Sequence, residues 1–304
     1  MSVTYERPGR AALHLARAAS LAPSPHHSQP WFFLFARAAV IACGATLFNV
    51  RLAVRQLGFR PVLDLLPAPG DAHHQAHAPS TAEEPLPARA IARRHTHRGR
   101  FGAEPVADAP LAELYEQARA EGATLQVVDD ADQPELVADL VRTAKDAHRA
   151  DIRHVTEPAR CAGPHRVPVD ACRQHSDATL LPGRSYLSLT RRHLVSARDR
   201  GGGTGTVVVL STPHCRRPDW LRAWQALQRV LLYAAAHDVM AAFPTQPLEL
   251  PAPRALRRTE CTAGRYPQLA LRLGHVSPPQ QQAWCTHRRP PAQVLVREDV
   301  TARW

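Results

Sequence analysis

The hydrophobic positions fall into alternating helical and strand periods. From Arg10 to Ser20, Ala12, Leu13, Leu15, Ala16 and Ala19 recur at the spacing of one helix face, and Pro23 closes the run. A second helix is predicted over Gly44 to Leu57, with Leu47, Val50, Val54 and Leu57 on one face and Gly58 at its C-terminal end. Arg60 to Leu66 alternates as a strand does. Pro67 to Pro87 is polar and proline-rich and reads as a linker. Helix resumes at Ala88. An amphipathic helix over Leu111 to Gly122, a strand over Ala123 to Val128 and a helix over Glu135 to His148 follow, and between Arg149 and Gly205 the periodicity dissolves. Thr206 to Ser211, reading TVVVLS, has the continuous apolar run of a strand buried on both faces. Trp220 to Ala236 is the strongest helix, and Leu269 to Leu273 is a final core strand before a proline-rich tail.

The two strong helices echo one another. Setting Thr46 against Ala226 aligns Leu47 with Leu227, Val50 with Val230, Leu52 with Leu232 and Gly58 with Asp238. Chance agreement between two amphipathic helices and duplication of one unit both account for this pattern.

With 304 residues and 44% hydrophobic content, the chain can bury one large core or two ordinary ones. The net charge of +11 is almost wholly arginine, since Lys145 is the single lysine. Those arginines are scattered rather than gathered on one element, so they read as solvated helix faces and no nucleic-acid partner is expected. Six cysteines in a chain of this length do not make a disulfide framework, which points to a reducing cytoplasm. Trp31 to Phe48 has the length of a membrane helix, and Val40 to Cys43 resembles a lipoprotein cleavage box. Arg37 stands in the middle of that segment, where a charge costs about 2.5–3.5 kcal/mol on insertion scales. The segment is therefore read as buried strand running into core helix, with no membrane partner and with export as the lesser alternative.

Two runs carry candidate chemistry. Ala22 to Trp31 reads APSPHHSQPW, and Arg93 to Phe101 reads RRHTHRGRF. In the second, Arg94, Thr96 and Arg98 alternate and point one way on an extended segment, giving two guanidinium forks around a hydroxyl. That donor set suits a phosphate, which needs charge-assisted hydrogen bonds converging from a short stretch. Spacing alone leaves an arginine-rich linker end as an equal reading. Cys161, His165, Cys172 and His175 lack the spacing of a zinc finger, and His73, His74 and His77 lie in the linker, so no metal site is assigned. Gly201 to Gly205 precede a strand, whereas a dinucleotide loop follows one. No paired carboxylates, Gly-x-Ser-x-Gly elbow or Ser/His/Asp arrangement suggests a hydrolase, and no catalytic side chain is assigned.

These runs resemble the Acg-type branch of the nitroreductase-like flavoproteins. The loop APSPHHSQPW is similar to the family's flavin-edge loop, with His27 where an Asn is expected. Arg94, His95, Thr96, Arg98 and Phe101 match in order the family's phosphate and ribityl run. DWLRAWQALQRVLL followed by TQPLELP, Asp219 to Pro251, is similar to a helix and the segment approaching the ring. The resemblance covers roughly half of the chain. It implies an α+β fold, a central antiparallel-rich sheet flanked by helices, built from two fused pseudo-repeated halves with the first abbreviated. The halves would be residues 1–87, ending in the polar linker, and residues 88–304. It implies FMN as cofactor, held by Ser24, His27, Gln29 and Pro30 at the ring edge, Arg94, Thr96 and Arg98 at the phosphate, Thr245, Gln246 and Pro247 near the reactive edge, and Arg288 and Arg289 closing from the C-terminus.

The implied activity is passage of hydride from NAD(P)H through FMN to a nitroaromatic or quinone-like small electron acceptor. The implied assembly is a monomer with an internal pseudo-dimer, or a homodimer. The chain departs from the pattern at His27, in a shortened stretch between Trp31 and Ile41, in a lid region where Val167-Pro168 alone survives, and at Trp224, which replaces a Gly. Those departures define the alternative: a protein that binds or sequesters flavin with little or no turnover.

Overall fold

The computed structural model describes residues 10–23, 37–62, 85–97, 101–128, 205–243, 262–276 and 290–291. In chain order the elements are α1 (Arg10–Ser20), α2 (Arg37–Gln56), α3 (Pro85–Ala90), α4 (Asp108–Ala120), β1 (Thr124–Val127), β2 (Thr206–Thr212), α5 (Arg217–Ala236), β3 (Met240–Ala242) and β4 (Tyr266–Gly274). The predicted helix at Arg10–Ser20 has the observed bounds. The second helix begins seven residues earlier than its periodicity suggested, at Arg37 rather than Gly44. No strand forms over Arg60–Val62. Helix α3 starts at Pro85, inside the segment read as linker, because proline is favourable at a first helical turn, where its missing N–H has no partner to lose. Strand β3 went unread because three residues are too few to show a period. The predicted strand Trp31–Phe35 and helix Glu135–His148 lie outside the described residues.

The sheet is antiparallel throughout, in the order β1-β2-β4-β3. This is an α+β arrangement. Along β2 and β4 alternate side chains go to opposite faces. Val208, Leu210, Leu269, Leu271 and Leu273 meet Leu227, Val230, Leu231 and Ala234 of α5 in the main core. Val207, Val209, Ala270 and Arg272, at the intervening positions, are buried too. Both strands are therefore enclosed on two sides, as the unbroken TVVVLS run predicted. A bulge between Leu210 and Ser211 shifts the β2–β4 register.

Helix α5 begins cleanly. Pro218 occupies the first turn, and Asp219 Oδ2 accepts the backbone N–H of Arg216 at 3.1 Å, satisfying an end donor that the helix itself leaves open. At its far end Asp238 takes a left-handed conformation (φ 55°), and Gly58 does the same after α2 (φ 86°). The shift that sets Thr46 against Ala226 also sets Arg37 against Arg217 and Gln56 against Ala236, the first and last residues of the two helices. The contacts between α2 and α5 follow the same shift. Gly44 abuts Trp224, its own counterpart. Gln228 Nε2 donates to Asn49 Oδ1 at 2.7 Å, and the counterparts of that pair, Phe48 and Arg229, also meet, the guanidinium lying 5.8 Å from the ring centroid.

A polar cluster ties α2, α4 and α5 together. Arg51 Nη1 donates to Glu121 Oε2 at 2.6 Å and to Gln225 Oε1 at 3.0 Å, while Arg229 donates to Glu121 Oε1 at 3.3 Å and to Gln117 Oε1. One nearly buried carboxylate thus bridges two arginines. Deeper in, Asn49 Nδ2 donates to the carbonyl of Ala18 at 2.8 Å, fastening α1 to α2.

Candidate anion-binding site

The segment after α3 crosses one end of the sheet, the end where β3 begins and β4 stops. The backbone N–H groups of Arg93 and Arg94 both donate to the Ala90 carbonyl, at 3.1 and 2.9 Å, and turn the chain sharply. An exposed ion pair of 2.8 Å joins Arg93 to Asp238 at the end of α5. Thr96 then forms a parallel bridge with Ala241 on the free edge of β3, and the His97 N–H donates to the Ala241 carbonyl at 2.8 Å. Arg94 and Thr96 therefore lie on a stretch joined to the edge of β3.

Arg94 is the unusual member. Only 7% of it is exposed, and its Nε and Nη1 are sealed from solvent. A guanidinium stays charged at any ordinary pH, and away from water its field is weakly screened. Thr96 is half-buried beside it in sequence. A buried fixed cation followed by a hydroxyl on a rigid edge is a donor set that fits a phosphate monoester.

Beyond it, Phe101 is buried across the sheet end and the Gly102 N–H donates to the His275 carbonyl at 2.9 Å. A β-carbon on Gly274 would lie 2.6 Å from the Phe101 ring, and one on Gly205 would lie 2.7 Å from it. Gly205 also has φ 73°. The last glycine of the run before β2 is thus required by a turn and by close packing, consistent with its rejection as a dinucleotide loop. The His97 ring lies 4.9 Å from Phe101 on one side, and the Arg272 guanidinium carbon lies 5.4 Å from it on another. Arg272 is fully buried in the middle of β4. Sequence reasoning passed over it, although an arginine interrupting the apolar run LALRLG was a visible signal.

Of the expected flavin contacts, Arg94 and Thr96 are the two that lie within the described residues. Ser24, His27, Gln29, Pro30, Arg98, Thr245, Gln246, Pro247, Arg288 and Arg289 lie outside them, as do Val167-Pro168 and the Cys161–His175 cluster. Among the described residues no group of three His, Cys, Asp or Glu side chains is placed to hold a metal, and no helix is long and apolar enough to cross a membrane. Cys43 and Cys215 are free thiols, and burial pushes the Cys43 thiol above its ordinary range.

No protein-family model matches the chain. It is 28% identical over 287 residues to the "Putative NAD(P)H nitroreductase Rv3131" of Mycobacterium tuberculosis strain H37Rv, an alignment covering 83% of this chain and 81% of that protein. It is 28% identical over 310 residues to the "Putative NAD(P)H nitroreductase acg" of the same strain, covering 90% of this chain and 92% of that protein. Among solved structures, the FMN and NADPH-dependent nitroreductase NfnB from sphigopyxis sp. strain HMH shares 21% identity over 70% of this chain and 98% of its own, with a TM-score of 0.44. The chain is a homologue of the nitroreductase-named proteins of the Acg type, along most of its length.

Proposed function

We propose that this protein is an FMN-dependent oxidoreductase of the nitroreductase type, passing hydride from NAD(P)H to a nitroaromatic or quinone-like acceptor in the cytoplasm. The observation that carries the proposal is the buried Arg94 with Thr96 bridged to β3, in a run that matches the phosphate segment of the Acg-type proteins. The similarity to Rv3131 and acg over most of the chain supports it. Arg94 and Thr96 hold the cofactor phosphate. The other ten positions expected from sequence to contact the cofactor complete its site. Bound FMN supplies hydride acceptance and onward electron transfer, while the chain binds the cofactor, orients it and shields it from water.

Residues 1–87 and 88–304 form two related halves in this reading, and α2 packing on α5 takes the place of contacts between subunits. The coincidence of helix ends and the reciprocal pairs Asn49–Gln228 and Phe48–Arg229 support that division, and with it a monomer carrying an internal pseudo-dimer rather than a homodimer.

A second reading is favoured by His27 and the loss of most of the lid motif: flavin is bound or sequestered with little turnover. One experiment separates the readings. The FMN-reconstituted protein is desalted and its visible spectrum recorded, then mixed anaerobically with NADPH and with NADH. Retained flavin bands that bleach rapidly support the oxidoreductase. Retained bands that stay coloured support sequestration, and a colourless protein overturns both.

A further inference from the structure

We infer that Phe101, seated on Gly274 and Gly205 and backed by the buried Arg272, is the device that positions the Arg94–His97 segment for an anionic ligand. The inference rests on the phosphate reading of Arg94 given above and concerns residues that touch no ligand themselves. The segment beyond the short edge strand β3 is fastened at its start by the Arg93 ion pair to Asp238 and, further on, by the bridge at Thr96 and the hydrogen bond from His97. A contact from the sheet side adds to that hold, and it matters because an arginine whose backbone drifts loses the alignment that a charge-assisted hydrogen bond requires.

Phe101 supplies that contact. Its ring enters the space left by two glycines, Gly205 just before β2 and Gly274 at the end of β4, at distances where any β-carbon would collide with it. The ring is held from three directions, by the glycine floor, by His97 at 4.9 Å and by Arg272 at 5.4 Å. Because His97 follows Thr96 directly, its contact with Phe101 and its backbone bond to Ala241 fix the donor segment between the sheet edge and the sheet face. Arg272 is invariant in charge and fully buried, so it gives the ring a permanent cationic neighbour through which cation–π attraction acts undiminished by solvent. These are positioning residues, and the property they set is selectivity for a phosphorylated over an unphosphorylated flavin.

The test compares affinities for FMN and riboflavin, measured by quenching of flavin fluorescence, in the full chain and in Phe101→Leu, Gly274→Ala and Arg272→Lys. Leucine keeps an apolar side chain in the space and preserves the fold, which unfolding curves check. Phe101→Leu and Gly274→Ala are each expected to lower the FMN-to-riboflavin preference by about tenfold, the scale of one misaligned charge-assisted hydrogen bond. Riboflavin affinity itself stays nearly constant. Combining the two changes adds little, because both release the same ring, and Arg272→Lys, which keeps the charge, loses less than either. A wild-type protein without preference for FMN overturns the phosphate reading and this inference with it. A wild-type preference that survives unchanged in folded Phe101→Leu and Gly274→Ala overturns the positioning role alone.

Discussion

Gly44 on α2 and Trp224 on α5 face one another so closely that a β-carbon added to Gly44 would lie 2.9 Å from Cβ of Trp224 and 2.5 Å from the carbonyl oxygen of Leu221. The backbones meet because one partner has no side chain. Trp224 is accommodated because the residue facing it across the helix pair is a glycine. Replacing Gly44 by Ala is expected to destabilise the protein by about 1–3 kcal/mol, the usual cost of overpacking a tight contact. Denaturant unfolding measures it, and a midpoint equal to wild type would show that the helices can separate freely.

Gly58 makes a different demand. Nothing lies within 4 Å of a β-carbon there, yet φ is 86°. Gly58→Ala should cost roughly 1 kcal/mol through backbone strain alone, and Gly58→Asn less, since a short polar side chain tolerates the left-handed region. Asp238 adopts that region at the corresponding place after α5. Thermal unfolding of the two variants orders them, and equal losses would contradict the argument.

Glu121 holds two arginines at once, and its removal leaves both partly buried guanidinium groups beside each other. Glu121→Ala is expected to destabilise by about 3 kcal/mol, and Arg51→Met in that background should restore part of the loss by removing one unpaired cation. Urea midpoints for the three proteins check this. A double variant weaker than Glu121→Ala would mean that Arg51 contributes packing rather than strain.

Arg94→Ala is expected to weaken FMN binding by tenfold or more, with riboflavin affected far less, since the lost interaction is with a phosphate. Fluorescence titration reads both constants. Equal losses for the two flavins would place the phosphate elsewhere.

The half-buried Cys43 should react with iodoacetamide more slowly than a cysteine in an unfolded peptide at the same pH, because desolvation disfavours the thiolate. The sign carries over to stability. The folded chain keeps this proton to higher pH than the unfolded one, so Cys43 contributes stability below the ordinary thiol range that is lost as pH rises through its raised value. Mass spectrometry after timed alkylation at mildly alkaline pH checks the rate, and labelling as fast as the peptide would falsify the burial argument.

Much of the fold was legible in the chain. The spacing of Ala12 to Ala19 defined α1, and TVVVLS announced a strand covered on both faces, since local periodicity records which side of an element meets the core. The alternation of Arg94 and Thr96 was legible as well. Sequence spacing left an exposed linker end and a built site as equal readings of that arginine run; the burial of Arg94 and the bridge from Thr96 to β3, on which the phosphate proposal rests, are tertiary facts. Arg272 was visible as a charge in an apolar strand, but a one-dimensional pattern does not say that Phe101 lies over it. Likewise the echo between the two long helices was a sequence fact with two explanations. Gly44 meeting Trp224, and Asn49 and Phe48 meeting Gln228 and Arg229, are contacts between residues far apart along the chain, and only the tertiary structure brings such residues within reach of one another.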